Sequence, residues 1–164
     1  MVRKKRIIAF IIIVSAFLVG GFANKVYADN RENEIYGYCE SIGKQYGISP
    51  EILQAIAYTE SRYNVNAQNG ECKGICQINF RIHANRIAKL GIKDPWNEQS
   101  QILLCADYLS ELRDNGKYGE EISWVLDRYN GFSKADYYYE NGLISDYSSK
   151  VLTRAAQLEQ EHGK

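Results

Sequence analysis

Between Ser49 and Arg62 the chain reads SPEILQAIAYTESR, and its apolar positions recur with a helical period. Leu53 and Ile56 fall on one stripe at i and i+3, and Glu60 completes it at i+7. Ser49 followed by Pro50 is a helix start signal, with the hydroxyl as N-cap and proline at the first helical position. The same period predicts helices over about 34–46, stopped by Gly47, and over about 81–90, 97–112, 120–128 and 146–160. Ile102, Cys105, Leu109 and Leu112 make the stripe of the 97–112 segment, and Gly131 is the stop signal after 120–128. From Tyr63 to Phe80 the period is lost, and Asn64, Asn66, Asn69, Gly70 and Gly74 gather there. That composition marks a loop region with a short hairpin at Gly74 to Asn79. No repeat or low-complexity linker divides the chain, so the expected fold is all-α, mainly helical with one long irregular insertion.

Glu60 is the position that needs explaining. A carboxyl group on the inward stripe of an apolar helix is desolvated, which favours its protonated form near neutral pH, the condition a general acid requires. The plainer alternative is that Glu60 merely ends the helix, reaching solvent or pairing with Arg62. Trp124 is assigned to the core and His83 and His162 to the surface, while Trp96 is open between packing and stacking on a sugar.

The first residues alter the charge picture. MVRKKR, an apolar run of 17 residues from Ile7 to Ala23, and VYA before Asp29 make a tripartite export signal over 1–28. The mature domain is then expected to be 29–164, exported to the extracellular space or cell wall. The competing reading is an uncleaved membrane anchor, the apolar run being at the lower limit for a span. The whole chain has 20 basic and 20 acidic residues. Cleavage removes Arg3, Lys4, Lys5, Arg6 and Lys25 and no acid, leaving 15 − 20 = −5. An acidic mature chain argues against a nucleic-acid partner. Four cysteines outside the membrane, Cys39, Cys72, Cys76 and Cys105, suggest two disulfides, and Cys39–Cys105 with Cys72–Cys76 is the preferred pairing. Their spacing lacks a paired CxxC, so no metal is expected, and no cofactor either.

Three short segments follow Glu60-Ser61 in order: Gly74-Ile75-Cys76-Gln77, Tyr129-Asn130-Gly131, and YSSKVL at Tyr147 to Leu152. Between them a helix ends in Cys105-Ala106-Asp107-Tyr108-Leu109. With these in register, the chain resembles the soluble lytic transglycosylase (SLT) family, which shares the goose-type lysozyme fold. The family pattern is an ES pair ending a helix, a glycine–hydrophobic–hydrophobic–glutamine segment, a helix with a G-x-x-Y-L pattern, AYNAG, and a closing helix. The resemblance covers nearly all of 34–155. It departs at Cys105, where a small glycine is expected, at Cys76, where methionine is usual, and at YNG, which lacks the alanine. The first two departures read as one linked cysteine adaptation.

The resemblance implies a peptidoglycan-cleaving enzyme with Glu60 as catalytic acid/base, producing 1,6-anhydromuramic ends. It implies Tyr129 as the hydrogen-bond partner orienting Glu60, and Gln77, Tyr129 and Asn130 lining the sugar cleft. Ser61 and Gly74 take supporting roles, with Gly74 letting backbone approach the cleft. A muramidase on the same fold would need a second acid to activate water, and Glu71 is the candidate. The alternative of another class is a non-catalytic wall-binding or assembly protein docked on a secretion or conjugation system, with membrane contact only through the N-terminal segment.

Overall fold

A computed structural model of the chain describes residues 30–164. The export signal expected over 1–28 and its expected cleavage site lie outside the described residues. The chain divides into a first unit, Met1–Glu34, and a second, Ile35–Lys164. Of the first, only residues 30–34 are described, and they are helical. No helix among the described residues is long and apolar enough to cross a membrane.

The elements run α1 (30–46), α2 (Pro50–Ser61), a small sheet of β1 (Gln68–Asn69), β2 (Cys72–Lys73) and β3 (Ile78–Asn79), then α3 (Ala84–Lys89), α4 (Glu98–Asn115), α5 (Ile122–Tyr129), α6 (Ala135–Glu140) and α7 (Asp146–Glu161). The expected helical fold is therefore observed, with the irregular insertion where the period fails. Its hairpin is a three-stranded antiparallel sheet that starts earlier than expected, with Asn69 opposite Cys72 and Lys73 opposite Ile78. α6 was not anticipated. Its sequence, ADYYYE, is too short and too uniformly aromatic to show a helical period.

α2 is the central helix. Leu53, Ala55, Ile56 and Ala57 are fully buried, and its most extensive partner is α7. The start signal acts as read: the Ser49 hydroxyl accepts from the Glu51 amide at 3.2 Å with Pro50 at the first helical position. The two helices run antiparallel and are tied at both ends. Beyond the end of α7, Lys164 Nζ lies 2.8 Å from Glu51 in the first turn of α2. Glu51 is buried, and although burial itself opposes its charge, its bonds to Lys164, Ser49 and His162 hold its pKa down at about 2. At the other end, the first turn of α7 meets the last turn of α2, which is where Glu60 stands.

Several side chains depart from expectation. Neither histidine is a plain surface residue: His83 is half-buried with its ring 4.5 Å from Tyr108, and His162 packs 3.8 Å from Tyr36. Trp124 is in the core, its indole donating to Asp136 at 2.7 Å. Trp96 packs edge-on against Phe80 at 5.4 Å. All four cysteines are free thiols. Cys72 and Cys76 diverge because one stands on β2 beside the groove and the other lies in the turn after it, inside the core. Cys39, Cys76 and Cys105 are all fully buried, and burial first and then the neighbouring Cys105 thiol push the Cys76 thiol well above its ordinary pKa. The two departures at Cys76 and Cys105 are thus one contact.

Gly74 is also required by a contact that its own segment does not indicate. It adopts φ +72°, and a Cβ there would lie 2.6 Å from the side-chain carbon of Gln101 on α4. The close approach is to the core side of the loop, where Gln101 Oε1 accepts from the Cys76 amide at 3.3 Å. Gly74→Ala should combine left-handed backbone strain with overpacking and cost about 1–3 kcal/mol, read as a lower denaturant midpoint at unchanged m-value.

Candidate active site

Glu60 stands at the middle of a groove. On one side a cavity of about 750 Å³ is walled by the ends of α2 and α7, including Tyr58, Arg62, Tyr147, Lys150 and Arg154. On the other a cavity of about 450 Å³ is walled by the small sheet and by α4 and α5, including Asn69, Gln77, Asn79, Tyr108 and Tyr129. Glu60 and Asn130 line both. An elongated cleft with one acid at its centre is a shape suited to a chain-like substrate. Among the described residues, no other carboxylate lines either cavity.

Burial raises the pKa of Glu60 above the ordinary carboxylate value, and a hydrogen bond from Tyr147 offsets part of that rise. The Tyr147 hydroxyl donates to Glu60 Oε1 at 2.7 Å. Tyr147 itself is held protonated, first by burial and then by the adjacent Glu60. With Oε1 engaged as an acceptor, Oε2 is the oxygen left to carry the acidic proton. The partner of Glu60 is therefore Tyr147, on the first turn of α7, and not Tyr129. Tyr129 Oη donates instead to the carbonyl of Cys76 at 2.8 Å, which fixes the turn between β2 and β3 against α5. α7 delivers its phenol to the carboxyl, while the hydroxyl of Tyr129 is taken up by the loop carbonyl.

Tyr147 is placed by a buried clamp. Ser145, the N-cap of α7, and Ser148 both donate through their hydroxyls to Asp127 Oδ1 on α5. Ser145 Oγ in turn accepts from the Ser148 amide at 3.1 Å. Asp127, Ser145 and Ser148 are buried, so Tyr147 lies between two anchored residues. Tyr147→Phe should lower kcat on the order of tenfold, since a hydrogen bond to a charged group is worth about 1.5–3 kcal/mol. That bond favours the ionised carboxylate, so its loss raises the pKa of Glu60 further. The protonated acid then persists to higher pH, and the alkaline limb of the kcat/KM profile should move upward.

The loop residues mostly build the wall. Gln77, at φ +49°, lines the groove while its amide nitrogen donates to the carbonyls of Gly74 at 2.8 Å and Ala67 at 3.2 Å. Ser61 donates to the Ile75 carbonyl at 3.0 Å and accepts from the Asn64 amide, joining the end of α2 to the loop. Asn130 caps α5 and is exposed at the centre of the groove. Glu71 is exposed in the turn between β1 and β2 and lines neither cavity. The structure thus brings Glu60, Gln77, Tyr129 and Asn130 to one groove, leaves Glu71 outside it, and adds Tyr147, Tyr108, Asn69 and His83. The signal for Tyr147 lay in its own segment, a phenol in the first turn of the closing helix, two residues after a capping serine.

An X polypeptide of Escherichia coli is 39% identical over 70 residues, a match covering 36% of this chain and 41% of that protein. An X polypeptide of Escherichia coli strain K12 is 41% identical over 56 residues, covering 31% of this chain and 32% of that protein. The chain thus spans under half the length of these relatives. The family model described as the transglycosylase SLT domain matches residues 37–136, more than half of the chain, and includes Glu60, Gln77 and the Tyr129-Asn130 pair. The chain belongs to the transglycosylase SLT domain family.

Proposed function

We propose that this protein cleaves the β-1,4 bond between N-acetylmuramic acid and N-acetylglucosamine in peptidoglycan by transglycosylation, with Glu60 as both acid and base. The observation that carries the reading is the single carboxyl group that the described residues bring to the groove, half-buried and biased towards its protonated form. Protonation by Glu60 lets the glycosidic oxygen leave, and positive charge develops at the muramic anomeric carbon. The ionised Glu60 then withdraws the proton of that sugar's own 6-hydroxyl, whose oxygen closes on the anomeric carbon. The product is a 1,6-anhydro end, and the carboxyl returns to its starting state. One acid suffices for both steps, whereas the common hydrolytic schemes use two.

Tyr147 supports this cycle by favouring the ionised form that appears midway. Its bond to Oε1 also holds the carboxyl orientation through both proton transfers. The substrate lies outside the cytoplasmic membrane, which accords with the export signal expected over 1–28. The muramidase reading rests on Glu71, and the exposed position of that residue, outside the groove, argues against it. Glu71→Gln tests the choice. Release of soluble fragments from purified peptidoglycan should stay within about twofold of the parent protein, because a general base contributes on the order of 10²-fold or more. A loss on that larger scale would favour water activation by Glu71. No release of fragments by the parent protein would favour the wall-binding alternative.

A further inference from the structure

The groove is chemically asymmetric about Glu60. Its sheet side is walled by amides, aromatic rings and apolar carbons. Among the described residues, its α2/α7 side presents three cations, Arg62, Lys150 and Arg154, and no acid besides Glu60. Two of them share one aromatic platform: the guanidinium carbons of Arg62 and Arg154 stand 4.4 Å and 4.9 Å from the centre of the Tyr58 ring. Arg62 also donates to the Tyr58 hydroxyl and is fixed at the end of α2 in the left-handed conformation, φ 55°. Arg154 is paired with Glu161 at 3.1 Å, on the last turn of α7. Lys150 is exposed one helical turn before Arg154 on the same face of α7.

A strand of neutral sugars gives these cations nothing to bind. In peptidoglycan the negative charges are the carboxylates of the peptide stems, which hang from the muramic sugars. We propose that the α2/α7 half of the groove is a subsite for stem carboxylates, formed by Arg62, Lys150 and Arg154; this rests on the reading of the groove as a glycan cleft. Arg62 and Arg154, steadied by Tyr58, offer planar donors to a carboxylate, and Lys150 adds a mobile point charge. The protein then prefers strands that carry free-acid stems. Ion pairs at exposed Arg62 and Lys150, with the largely buried Arg154 behind them, give a preference on the order of tenfold in Kd, weakened by salt.

The test measures binding by the Glu60→Gln protein, which leaves strands uncut, using titration calorimetry on three ligands. These are glycan strands with intact stems, strands stripped by an N-acetylmuramoyl-L-alanine amidase and then amidated at the lactyl carboxylates that stripping exposes, and strands whose stem carboxylates are amidated. Intact strands should bind about tenfold tighter than the other two at low salt, with the advantage gone by about 0.5 M salt. Arg62→Gln with Lys150→Gln should erase the difference, while Arg154 stays in place so that its ion pair to Glu161 is kept. Equal affinity for intact and stripped strands overturns the subsite and leaves the cleft reading standing. Amidated strands binding as tightly as intact ones also overturn it, since the peptide and not its charge would then be recognised. Failure to bind any strand removes the cleft reading and the subsite together.

Discussion

Glu60→Gln should reduce cleavage of purified peptidoglycan by about 10²- to 10⁴-fold while leaving the melting temperature nearly unchanged, the range a positioned general acid contributes. That range corresponds to about 3–5.5 kcal/mol of transition-state stabilisation. The substitution keeps the shape of the side chain and an oxygen able to accept from Tyr147, so the α2/α7 contact at 2.7 Å has a replacement. It removes the titrating proton. The amide also has no solvation cost of ionisation, so the half-buried site should tolerate it at least as well as the acid. A rate assay beside thermal unfolding checks both halves, and full activity in the variant would sink the acid/base role.

Asp127→Ala should have the largest effect on stability among the residues near the groove. Its carboxyl is 3% exposed and accepts from the hydroxyls of Ser145 and Ser148, themselves 6% and 0% exposed. Removing the acceptor strands buried donors, although Ser148 retains the Ser123 carbonyl at 2.9 Å as a second partner. The expected loss is about 2–3 kcal/mol, which for a domain of this size lowers Tm by roughly 5–15 °C. The clamp also sets where α7 begins, so Tyr147 should be less well held against Glu60. Activity at a temperature where the variant is folded should therefore fall in kcat more than in KM. The alkaline limb should shift upward, in the same sense as for Tyr147→Phe. A purely structural residue would lower Tm without moving that limb, and Asp127→Asn, which keeps an acceptor, should recover part of both effects.

Much of the helical framework was legible because it is written in local signals. Ser49-Pro50 opens α2, the Leu53–Ile56 stripe buries it, and Gly47 and Gly131 stop their neighbours. The acid at Glu60 was legible for the same reason: a carboxyl group falls on an apolar stripe. The pairings across the fold were not. Tyr129 and Tyr147 are both phenols in motifs of the right order, and which one reaches Glu60 depends on how α5 and α7 cross α2, a tertiary fact with no local period. The cysteines show the same limit. Cys72 and Cys76 are near in sequence, yet a turn sends one to the groove and the other to Cys105 on α4. Asp127 escaped notice because an acid in a short helix looks solvated until α7, contributed by residues some twenty positions later, closes over it. Gly74 announced a backbone constraint, but the side chain that imposes it, Gln101, is on another helix.

The central claim is that the hydroxyl deprotonated by Glu60 belongs to the substrate and not to water. Digestion of peptidoglycan in heavy-oxygen water, followed by mass spectrometry of the released muropeptides, reads this directly. Transglycosylation predicts 1,6-anhydromuramic ends lacking the heavy isotope. Reducing ends carrying one heavy oxygen at the muramic anomeric position would contradict it and establish hydrolysis.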